Sequence, residues 1–365
     1  MSRIFLNPFA TGADPGAAAF DESNAQQLRA LFAHAPGFKE TPLLRLDAIA
    51  RHLGIAELWA KDERNRWGQG SFKALGGAYA VVTLAAKALH ATPAAVFSGH
   101  APKAAHLTFA AATAGNHGRA VAFGAKLAGA RAVIFVYGDV PRAQVTAISD
   151  LGAEVVTILG DYEAACRAAD ETAARNGWTV VSDMAHGAYT EIPQKIMQGY
   201  SVLAAEAAER MAEPPTHLFL QAGVGGLAAP TAAYFSQAVR PNPAIVVVEA
   251  ATVPCLLESA RLNELTRTPP SGDTTLNRLD CPTPSSTTWP ILRALAQGFV
   301  GVDNSIAAEA VALLKEEEDI ATTPTGAAGV AGLLTLRQEP AFAALGLARD
   351  SRVMVVLSEQ AVAPA

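Results

Sequence analysis

Lys73 has the most distinctive chemical setting in this sequence. It follows an apolar run that ends at Lys61 and a turn-forming segment, and it falls in the first turn of a helical pattern that begins near Phe72. Ser71 stands where a helix-capping side chain is expected. The positive end of the helix dipole disfavours an ammonium group and favours the neutral amine, the form that attacks a carbonyl carbon to make an imine. Lys73 is therefore a candidate imine-forming lysine, and an ordinary surface lysine is the alternative interpretation.

The segment Thr113-Ala114-Gly115-Asn116-His117-Gly118 joins an apolar strand pattern to a helical pattern. A loop that enters a helix offers backbone N–H groups to an anion. The side chain of Asn116 adds a donor for a carboxylate or a phenolic oxygen. The pattern indicates an anion site, and a polar strand-to-helix turn without a ligand is the alternative.

A second loop, Gln221-Ala222-Gly223-Val224-Gly225-Gly226-Leu227, has three glycines in four positions. Glycines let the backbone approach a phosphate and direct several N–H groups towards it. The loop matches neither GxGxxG nor the Gly-Lys-Ser/Thr of ATP-binding loops, so a compact monophosphate fits better than a dinucleotide. Ser358 follows the last apolar run and would lie at the carboxyl end of a strand, where open α/β sheets bind ligands. A tight corner and an uninvolved polar residue are the respective alternatives.

The elements that must position these segments alternate between strand and helix. Short apolar or β-branched runs predict the strands Leu58–Lys61, Leu107–Ala111, Ala132–Tyr137, Glu154–Ile158, Thr179–Ser182, Leu218–Gln221, Ala244–Val248 and Val353–Leu357. Alanine-rich runs with helical spacing predict the helices Glu22–Ala33, Phe72–Leu89, Gly118–Ala128, Tyr162–Asn176, Pro193–Met211 and Ile306–Lys315. This alternation predicts an α/β fold with parallel sheets and crossover helices. The stretch from Thr252 to Trp289 has neither pattern, so it is expected to be a functional loop or poorly ordered.

Composition and charge argue against several classes of function. The 365 residues suffice for two α/β lobes. The net charge is −6, and acidic and basic residues are interspersed rather than clustered, which argues against a nucleic-acid-binding surface. No apolar run reaches the roughly 18–20 residues that cross a bilayer, and no secretory signal is evident, so a cytoplasmic protein without a membrane partner is expected. Cys166, Cys255 and Cys281 lie far apart, which favours free thiols and predicts no metal site.

The order of these segments resembles the fold-type II enzymes that use pyridoxal 5′-phosphate (PLP), the group of tryptophan synthase β and of threonine and serine dehydratases. Within this group the chain is most similar to the diaminopropionate ammonia-lyases, over most of its length from about Thr41 to Glu359. The segments that carry this closer similarity are Phe72–Ala80, Gly177–Asp183, Tyr189–Pro193, Ile196–Tyr200 and Gln221–Gly225.

The resemblance implies roles for individual residues. Lys73 would hold PLP as a Schiff base and, once displaced by substrate, would remove the Cα proton, while Asp183 would take part in acid–base catalysis. The substrate would be a small amino acid, L-2,3-diaminopropionate, which loses its β-amino group to give pyruvate and ammonia. The further residues implied in holding the cofactor are Phe72, Asn116 at the phenolic oxygen, Gly223, Val224, Gly225, Gly226 and Leu227 at the phosphate, and Ser358 at the ring nitrogen. The residues implied in holding the substrate carboxylate are Thr113, Ala114, Gly115 and His117.

The resemblance also implies an architecture. The chain would fold into two lobes, each a three-layer αβα arrangement with a parallel or mixed sheet, and PLP would lie between them. Residues 1–94 with 190–365 would form the larger domain that anchors PLP, and residues 95–189 a smaller mobile domain. The family usually forms symmetric dimers, so a homodimer is expected.

Ala114 is the clearest departure from the ammonia-lyases, which carry an aspartate here as the base for the D-isomer. The loop instead resembles that of the threonine dehydratases, which have a small residue at this position. An L-serine or L-threonine dehydratase is therefore the alternative function, supported by Ala114 but not by residues 177–200. A non-catalytic PLP-binding scaffold is a further alternative, and Lys73 argues against it because a scaffold needs no imine-forming lysine.

Overall fold

The fold is taken from a computed structural model that describes residues 3–13, 15–113, 115–138, 140–337 and 339–361. Ala114, predicted to contact the substrate, lies outside the described residues. The strands are β1 (Ile4–Leu6), β2 (Leu43–Arg45), β3 (Glu57–Asp62), β4 (Thr108–Ala112), β5 (Arg131–Tyr137), β6 (Glu154–Ile158), β7 (Thr179–Val180), β8 (His217–Gln221), β9 (Ala244–Ala250), β10 (Gly298–Val302) and β11 (Arg352–Leu357). The α-helices are α1 (Glu22–Phe32), α2 (Asp47–Leu53), α3 (Lys73–Ala88), α4 (Pro93–Phe97), α5 (Asn116–Ala128), α6 (Arg142–Ser149), α7 (Tyr162–Asn176), α8 (Glu191–Arg210), α9 (Ala228–Ala238), α10 (Cys255–Leu262), α11 (Trp289–Leu295), α12 (Asn304–Glu318), α13 (Ala328–Leu336) and α14 (Pro340–Ala344).

One compact unit, here the large-sheet unit, contains residues 3–25, 41–65 and 203–361 of the described chain. Its sheet has the strand order β1-β10-β9-β8-β11-β3-β2, in which the five central strands are parallel and the two edge strands antiparallel. Parallel strands are covered on both faces and therefore appear in sequence as continuous apolar runs, as β9 and β11 do. Because β8 and β11 are parallel neighbours, their carboxyl ends lie at the same edge of the sheet.

Helix α13 packs closely on one face of the large sheet. A Cβ placed on Gly332 would lie 2.6 Å from Cγ2 of Val248, and one placed on Gly329 would lie 2.9 Å from Cβ of Val355. Any larger side chain at these positions would force the helix off the sheet. The apolar core of this unit forms at that contact, with Phe219 buried in it.

A buried ion pair fixes the end of β3, the strand that precedes the loop to Lys73. Lys61 Nζ donates hydrogen bonds to Glu206 Oε2 at 2.5 Å and to the Thr41 carbonyl at 2.7 Å. The Thr41 hydroxyl in turn donates to Glu63 Oε1 at 2.6 Å. Lys61, Glu63 and Glu206 are all fully buried, so removal of one partner would leave a buried charge, a cost of about 3–5 kcal/mol.

The second compact unit, here the small-sheet unit, contains residues 26–40 and 66–202. Its sheet has the order β6-β5-β4-β7, and all neighbours are parallel. Val133 and Phe135 on β5 pack with α7, whereas Ile134 between them meets Gly118 of α5. Because alternate residues of a strand point to opposite faces, α5 and α7 cover opposite faces of this sheet. The predicted α/β fold with parallel and mixed sheets is confirmed.

Helix α3 belongs to the small-sheet unit because it packs directly on α5. A Cβ on Gly77 would lie 2.5 Å from Cβ of Ala120, and one on Gly124 would lie 2.9 Å from Cα of Ala78. The bounds of the compact units therefore differ from the predicted division at residues 94/95 and 189/190. That division, into an anchoring and a mobile domain, stays a prediction about motion.

Candidate active site

Helix α3 begins at Lys73, so the candidate imine lysine lies in the first turn of a helix. Phe72 occupies the N-cap position in an α-helical conformation, and no side chain caps this end. The predicted capping role of Ser71 is therefore wrong. The backbone already turns before the helix starts, with the N–H groups of Ala74 and Leu75 donating to the carbonyls of Ser71 and Phe72.

An aromatic cluster holds the loop that leads to Lys73. Trp67 has a positive φ of 56°, a conformation that is rare for a bulky residue and needs support from its surroundings. Its indole Nε1 donates to the Pro36 carbonyl at 3.0 Å, and its ring lies 5.1 Å from that of Phe38 and 5.2 Å from that of Phe123. These contacts fix the backbone six residues before Lys73.

Lys73 forms an ion pair with Asp183 inside the small-sheet unit. Lys73 Nζ donates a hydrogen bond to Asp183 Oδ2. Burial alone would raise the pKa of Asp183, but the charges of His117 and Lys73 outweigh burial and hold this pKa below its usual value. Asp183 therefore stays an ionised acceptor at neutral pH, and the structure brings both predicted catalytic residues together.

His117 is a second neighbour of the Asp183 oxygen that accepts from Lys73. Its Nε2 is 2.8 Å from the Val181 carbonyl, which can only accept, so Nε2 carries a proton. Its buried Nδ1 lies 3.9 Å from Asp183 Oδ2 and has no hydrogen-bond partner among the described residues. Since the ring is directed at these two neighbours, the backbone N–H is what remains for the predicted contact of His117 with substrate.

The predicted anion loop of the small-sheet unit runs directly into α5. The Thr113 hydroxyl accepts a hydrogen bond from the Gly115 N–H at 3.1 Å, and Asn116 is the first residue of the helix. A Cβ on Gly118 would lie 2.9 Å from Thr113 Cγ2, so the glycine allows the helix to begin close to the loop. The first N–H groups of α5 have no partner within the helix and are suited to an anion.

Tyr200 on α8 is a neighbour of Lys73 to which the sequence patterns assign no role. Its ring lies 4.8 Å from the ring of Phe72, and Lys73 Nζ lies 5.8 Å from its centre. A Cβ on Gly76 would lie 2.5 Å from Tyr200 Cε1, and one on Gly199 would lie 2.7 Å from the Gly76 Cα. The two glycines therefore allow the tyrosine ring to lie against the first turn of α3.

The glycine-rich loop of the large-sheet unit is held in place by Thr288. Its hydroxyl donates to the Val224 carbonyl at 2.6 Å, and a Cβ on Gly225 would lie 2.6 Å from the same oxygen. Gly225 also has a positive φ of 94°, which strains other residues. At Gly226, by contrast, a Cβ would meet no described heavy atom within 4 Å. The loop is thus closely packed at Gly225 and open at Gly226, just before α9 begins.

The stretch 252–289 was expected to be irregular, but it contains α10 and packs behind this loop. Cys281 Sγ would lie 2.9 Å from a Cβ on Gly223, and Cys255 Sγ lies 3.7 Å from the Gly223 carbonyl. The stretch is therefore ordered by its contacts with the glycine-rich loop. These contacts could not be predicted from local sequence patterns, because they join residues that are distant in sequence.

Glu249, at the end of β9, caps α10. Its carboxylate accepts hydrogen bonds from the backbone N–H groups of Leu256 at 2.8 Å and Leu257 at 2.7 Å. Burial raises the pKa of Glu249 to about 8, although these two bonds oppose the shift. This carboxyl group was not identified from the sequence, where it is one residue within an apolar run.

Ser358 directly follows β11 and is 2% exposed, in agreement with its predicted place at a strand end. At the end of the neighbouring β8, Gln221 Nε2 donates to the Val356 carbonyl at 2.8 Å. The Oε1 atom of Gln221 is buried without a hydrogen-bond partner among the described residues. The carboxyl edge of the large sheet therefore holds Ser358, the glycine-rich loop and a buried acceptor.

The predicted site residues fall into two groups, each within one compact unit. The small-sheet unit holds Phe72, Lys73, Thr113, Gly115, Asn116, His117 and Asp183. The large-sheet unit holds Gly223, Val224, Gly225, Gly226, Leu227 and Ser358.

Comparison with known proteins gives matches over nearly the whole chain. The family model described as "Pyridoxal-phosphate dependent enzyme" matches residues 35–359. The diaminopropionate ammonia-lyase of Escherichia coli K12 is 34% identical over 354 residues, which cover 93% of this chain and 89% of the relative. A crystal structure of the E. coli diaminopropionate ammonia lyase with an aminoacrylate-PLP azomethine reaction intermediate is 32% identical and has a TM-score of 0.89. The match covers 98% of this chain and 93% of the crystallised chain. A biosynthetic L-threonine dehydratase of Haemophilus influenzae is 28% identical and matches 80% of this chain but 52% of its own length.

Proposed function

Because the chain belongs to the family of pyridoxal-phosphate dependent enzymes, we propose that it is a carbon–nitrogen lyase that converts 2,3-diaminopropionate to pyruvate and ammonia. The observation that carries the proposal is the pairing of the Lys73 amine with an ionised Asp183 at the start of α3. The similarity to diaminopropionate ammonia-lyases over 93% of the chain supports the choice of substrate. It also supports the identification of Lys73 as the residue that binds PLP.

The chemistry of the two groups of residues fits PLP. Lys73 supplies a primary amine for the aldehyde, and Asn116 a side-chain donor at the start of α5. The glycine-rich loop supplies backbone N–H groups before α9 and open space at Gly226, which suits a phosphate. Ser358 supplies a neutral hydroxyl partner for a ring nitrogen. When bound, PLP supplies an electron sink for the electron pair left at Cα after the proton is removed.

Residues of the chain remove and hold the protons that move in the reaction. Lys73, as a neutral amine, removes the Cα proton and becomes an ammonium group. Asp183 remains ionised and accepts a hydrogen bond from that ammonium, which keeps it in place. His117, near the same carboxylate oxygen, also favours the charged form of Asp183. The departing β-amino group must take up a proton as the Cβ–N bond breaks. The ammonium of Lys73, which carries the proton removed from Cα, can donate it.

We further propose that the enzyme prefers the L-isomer of its substrate. Asp183 is the acidic residue beside Lys73, whereas Ala114 replaces the aspartate that ammonia-lyases use for the D-isomer. We expect Ala114→Asp to raise kcat/KM for D-2,3-diaminopropionate at least about tenfold, since a positioned base contributes on the order of 10²–10⁴ in rate. Pyruvate release from each isomer measures this, with Ala114→Asn as the control that adds a similar volume without a base. Equal activity of the two variants on the D-isomer would exclude the proposed cause.

The glycine-rich loop offers a matched pair of variants that tests its proposed role in binding phosphate. Gly225→Ala should lower the free energy of unfolding by about 1–3 kcal/mol, because its φ is positive and its Cβ would meet Thr288. Gly226→Ala should change stability by less than about 0.5 kcal/mol, because its Cβ meets nothing described. It should nevertheless weaken PLP binding at least about tenfold by occupying the phosphate position, a loss of roughly 1.4 kcal/mol. PLP titration and chemical unfolding of each variant measure both effects, and unchanged PLP affinity in Gly226→Ala would contradict the assignment.

We also propose a cytoplasmic homodimer whose residues 95–189 move as a unit over the substrate. No helix within the described part of the chain is both long and apolar enough to cross a membrane. The dimer is proposed because members of the family usually form symmetric dimers, and light scattering of the purified protein tests it. A single monomeric species would contradict it.

The substrate proposal is tested by product release from the PLP-loaded protein. We expect kcat/KM to be highest for L-2,3-diaminopropionate among the L- and D-isomers, L-serine and L-threonine. Faster turnover of L-serine or L-threonine would establish the dehydratase alternative, which Ala114 favours. A pure protein that binds no PLP and stays colourless would contradict the proposal entirely.

A further inference from the structure

Tyr200 has a buried polar group that the proposed reaction leaves unused. The residue is 1% exposed, and its hydroxyl has no hydrogen-bond partner among the described residues. An unpaired buried hydroxyl destabilises a folded protein, so this one calls for a functional explanation. Its place beside the catalytic lysine supplies one.

Tyr200 contacts the first turn of α3 and lies close to the charges around it. Lys73 Nζ lies 5.8 Å from the centre of its ring, and Phe72 packs on that ring. The ring packs against Gly76, and Gly199 lets α8 approach α3 closely at this point. Burial raises the pKa of the Tyr200 phenol and the charge of Asp183 raises it further, whereas the charge of Lys73 and an interaction of the hydroxyl with the Lys73 side chain oppose the shift. The phenol is therefore a neutral donor throughout the working pH range.

Lys73 needs two kinds of partner, because the proposed reaction uses it in two protonation states. The ammonium form has only donors to offer, and the ionised carboxylate of Asp183 accepts from it. The neutral amine that removes the Cα proton has a lone pair, and a carboxylate cannot donate to a lone pair. A hydroxyl can, and that of Tyr200 is a buried donor that interacts with the Lys73 side chain.

We propose that Tyr200 is a positioning residue that donates a hydrogen bond to the neutral amine of Lys73, and thereby holds it ready to act as a base. Asp183 stabilises the ammonium form, and Tyr200 stabilises the neutral form. This inference deepens the proposed function and rests on Lys73 being the lysine that acts in it.

The test measures the protonation of Lys73 directly. The full-length protein without PLP is labelled with trace acetic anhydride over a series of pH values, and mass spectrometry gives the extent of labelling at Lys73. In Tyr200→Phe the pKa of Lys73 should rise by about one unit, because one net hydrogen bond to the neutral form is lost. Asp183→Asn should shift the same pKa downward, because it removes the charge that stabilises the ammonium form.

The PLP-loaded enzyme gives a second readout. In Tyr200→Phe the acidic limb of the kcat–pH profile should move up by about one unit, so that kcat at neutral pH falls about tenfold while KM changes less than about twofold. Tyr79→Phe, which alters another tyrosine of the small-sheet unit, should change neither quantity. The labelling result does not depend on turnover, so the proposed function can fail without affecting it.

Stability separates this role from a structural one. Tyr200→Phe removes one buried hydroxyl and keeps the ring contacts, so its thermal unfolding midpoint should stay close to that of the unaltered protein. A folded Tyr200→Phe protein with an unchanged Lys73 pKa would overturn the proposal. If the variant instead proves less stable, Tyr200→His, which keeps an N–H donor on a smaller ring, should leave the Lys73 pKa closer to the original than Tyr200→Phe, and the reverse order would equally overturn it.

Discussion

Replacing Lys73 by alanine should abolish turnover, with kcat reduced at least about 10³-fold, because the proposed function makes Lys73 both the group that binds PLP and the base. The variant should also lose the visible absorbance of PLP held on a lysine. Product release and the absorption spectrum measure the two effects. Lys73 is the first residue of α3, and its ammonium is paired with Asp183.

Two further variants separate this chemical role from the ion pair. Lys73→Arg keeps a positive charge beside Asp183 but cannot form an imine, so it should remain folded and inactive. Lys87→Ala changes an exposed lysine in the last turn of the same helix and should keep full activity. An active Lys73→Arg protein would show that the charge, and not the amine, is what the reaction needs.

Replacing Asp183 by asparagine should lower kcat about 10²–10³-fold while PLP remains bound, since the proposed function uses the carboxylate to hold the ammonium of Lys73 and gives it no contact with the cofactor. The pKa of Asp183 lies below its usual value because the charges of His117 and Lys73 outweigh burial. The carboxylate therefore stays charged throughout the neutral range, and an amide cannot replace that charge. Steady-state kinetics and the absorption spectrum of the variant measure the two parts of this prediction.

The matched control is Asp150→Asn, at an exposed residue that follows Ser149 as the C-cap of α6. It should keep kcat within about twofold, as surface changes of this kind rarely matter. Asp183→Glu should recover part of the lost rate, because it restores the charge at a displaced position. Activity of Asp183→Asn within about threefold of the unaltered enzyme would mean that proton transfer by Lys73 does not need the charge of Asp183.

The longer elements and the loops that carry chemistry could be predicted because their signals are local. The predicted strand Glu154–Ile158 and the predicted helix Tyr162–Asn176 have the observed bounds, since each has an uninterrupted period and a clear end. The edge strands β1 and β2 are three residues long, too short to show a period. The Ser71 cap was wrong because the helix begins at Lys73, one residue later than predicted, so that Phe72 occupies the N-cap position.

The supports of the site could not be predicted because they arise from contacts across long stretches of sequence. Thr288 holds the glycine-rich loop from a distance of 64 residues, and its type and neighbours give no sign of this. Glu249 lies in an apolar strand, where only the folded chain reveals that it caps α10. Tyr200 lay within a segment that carried the family resemblance, but only its burial beside Lys73 indicates a role.

The most direct test of the central claim is the ratio of ammonia to pyruvate released from L-2,3-diaminopropionate by the PLP-loaded enzyme. Elimination of the β-amino group followed by hydrolysis yields two molecules of ammonia for each pyruvate. The proposed function predicts this ratio in the unaltered enzyme and no product from the Lys73→Ala variant. Absence of pyruvate from L-2,3-diaminopropionate, in a protein that binds PLP and converts L-serine or L-threonine, would contradict it.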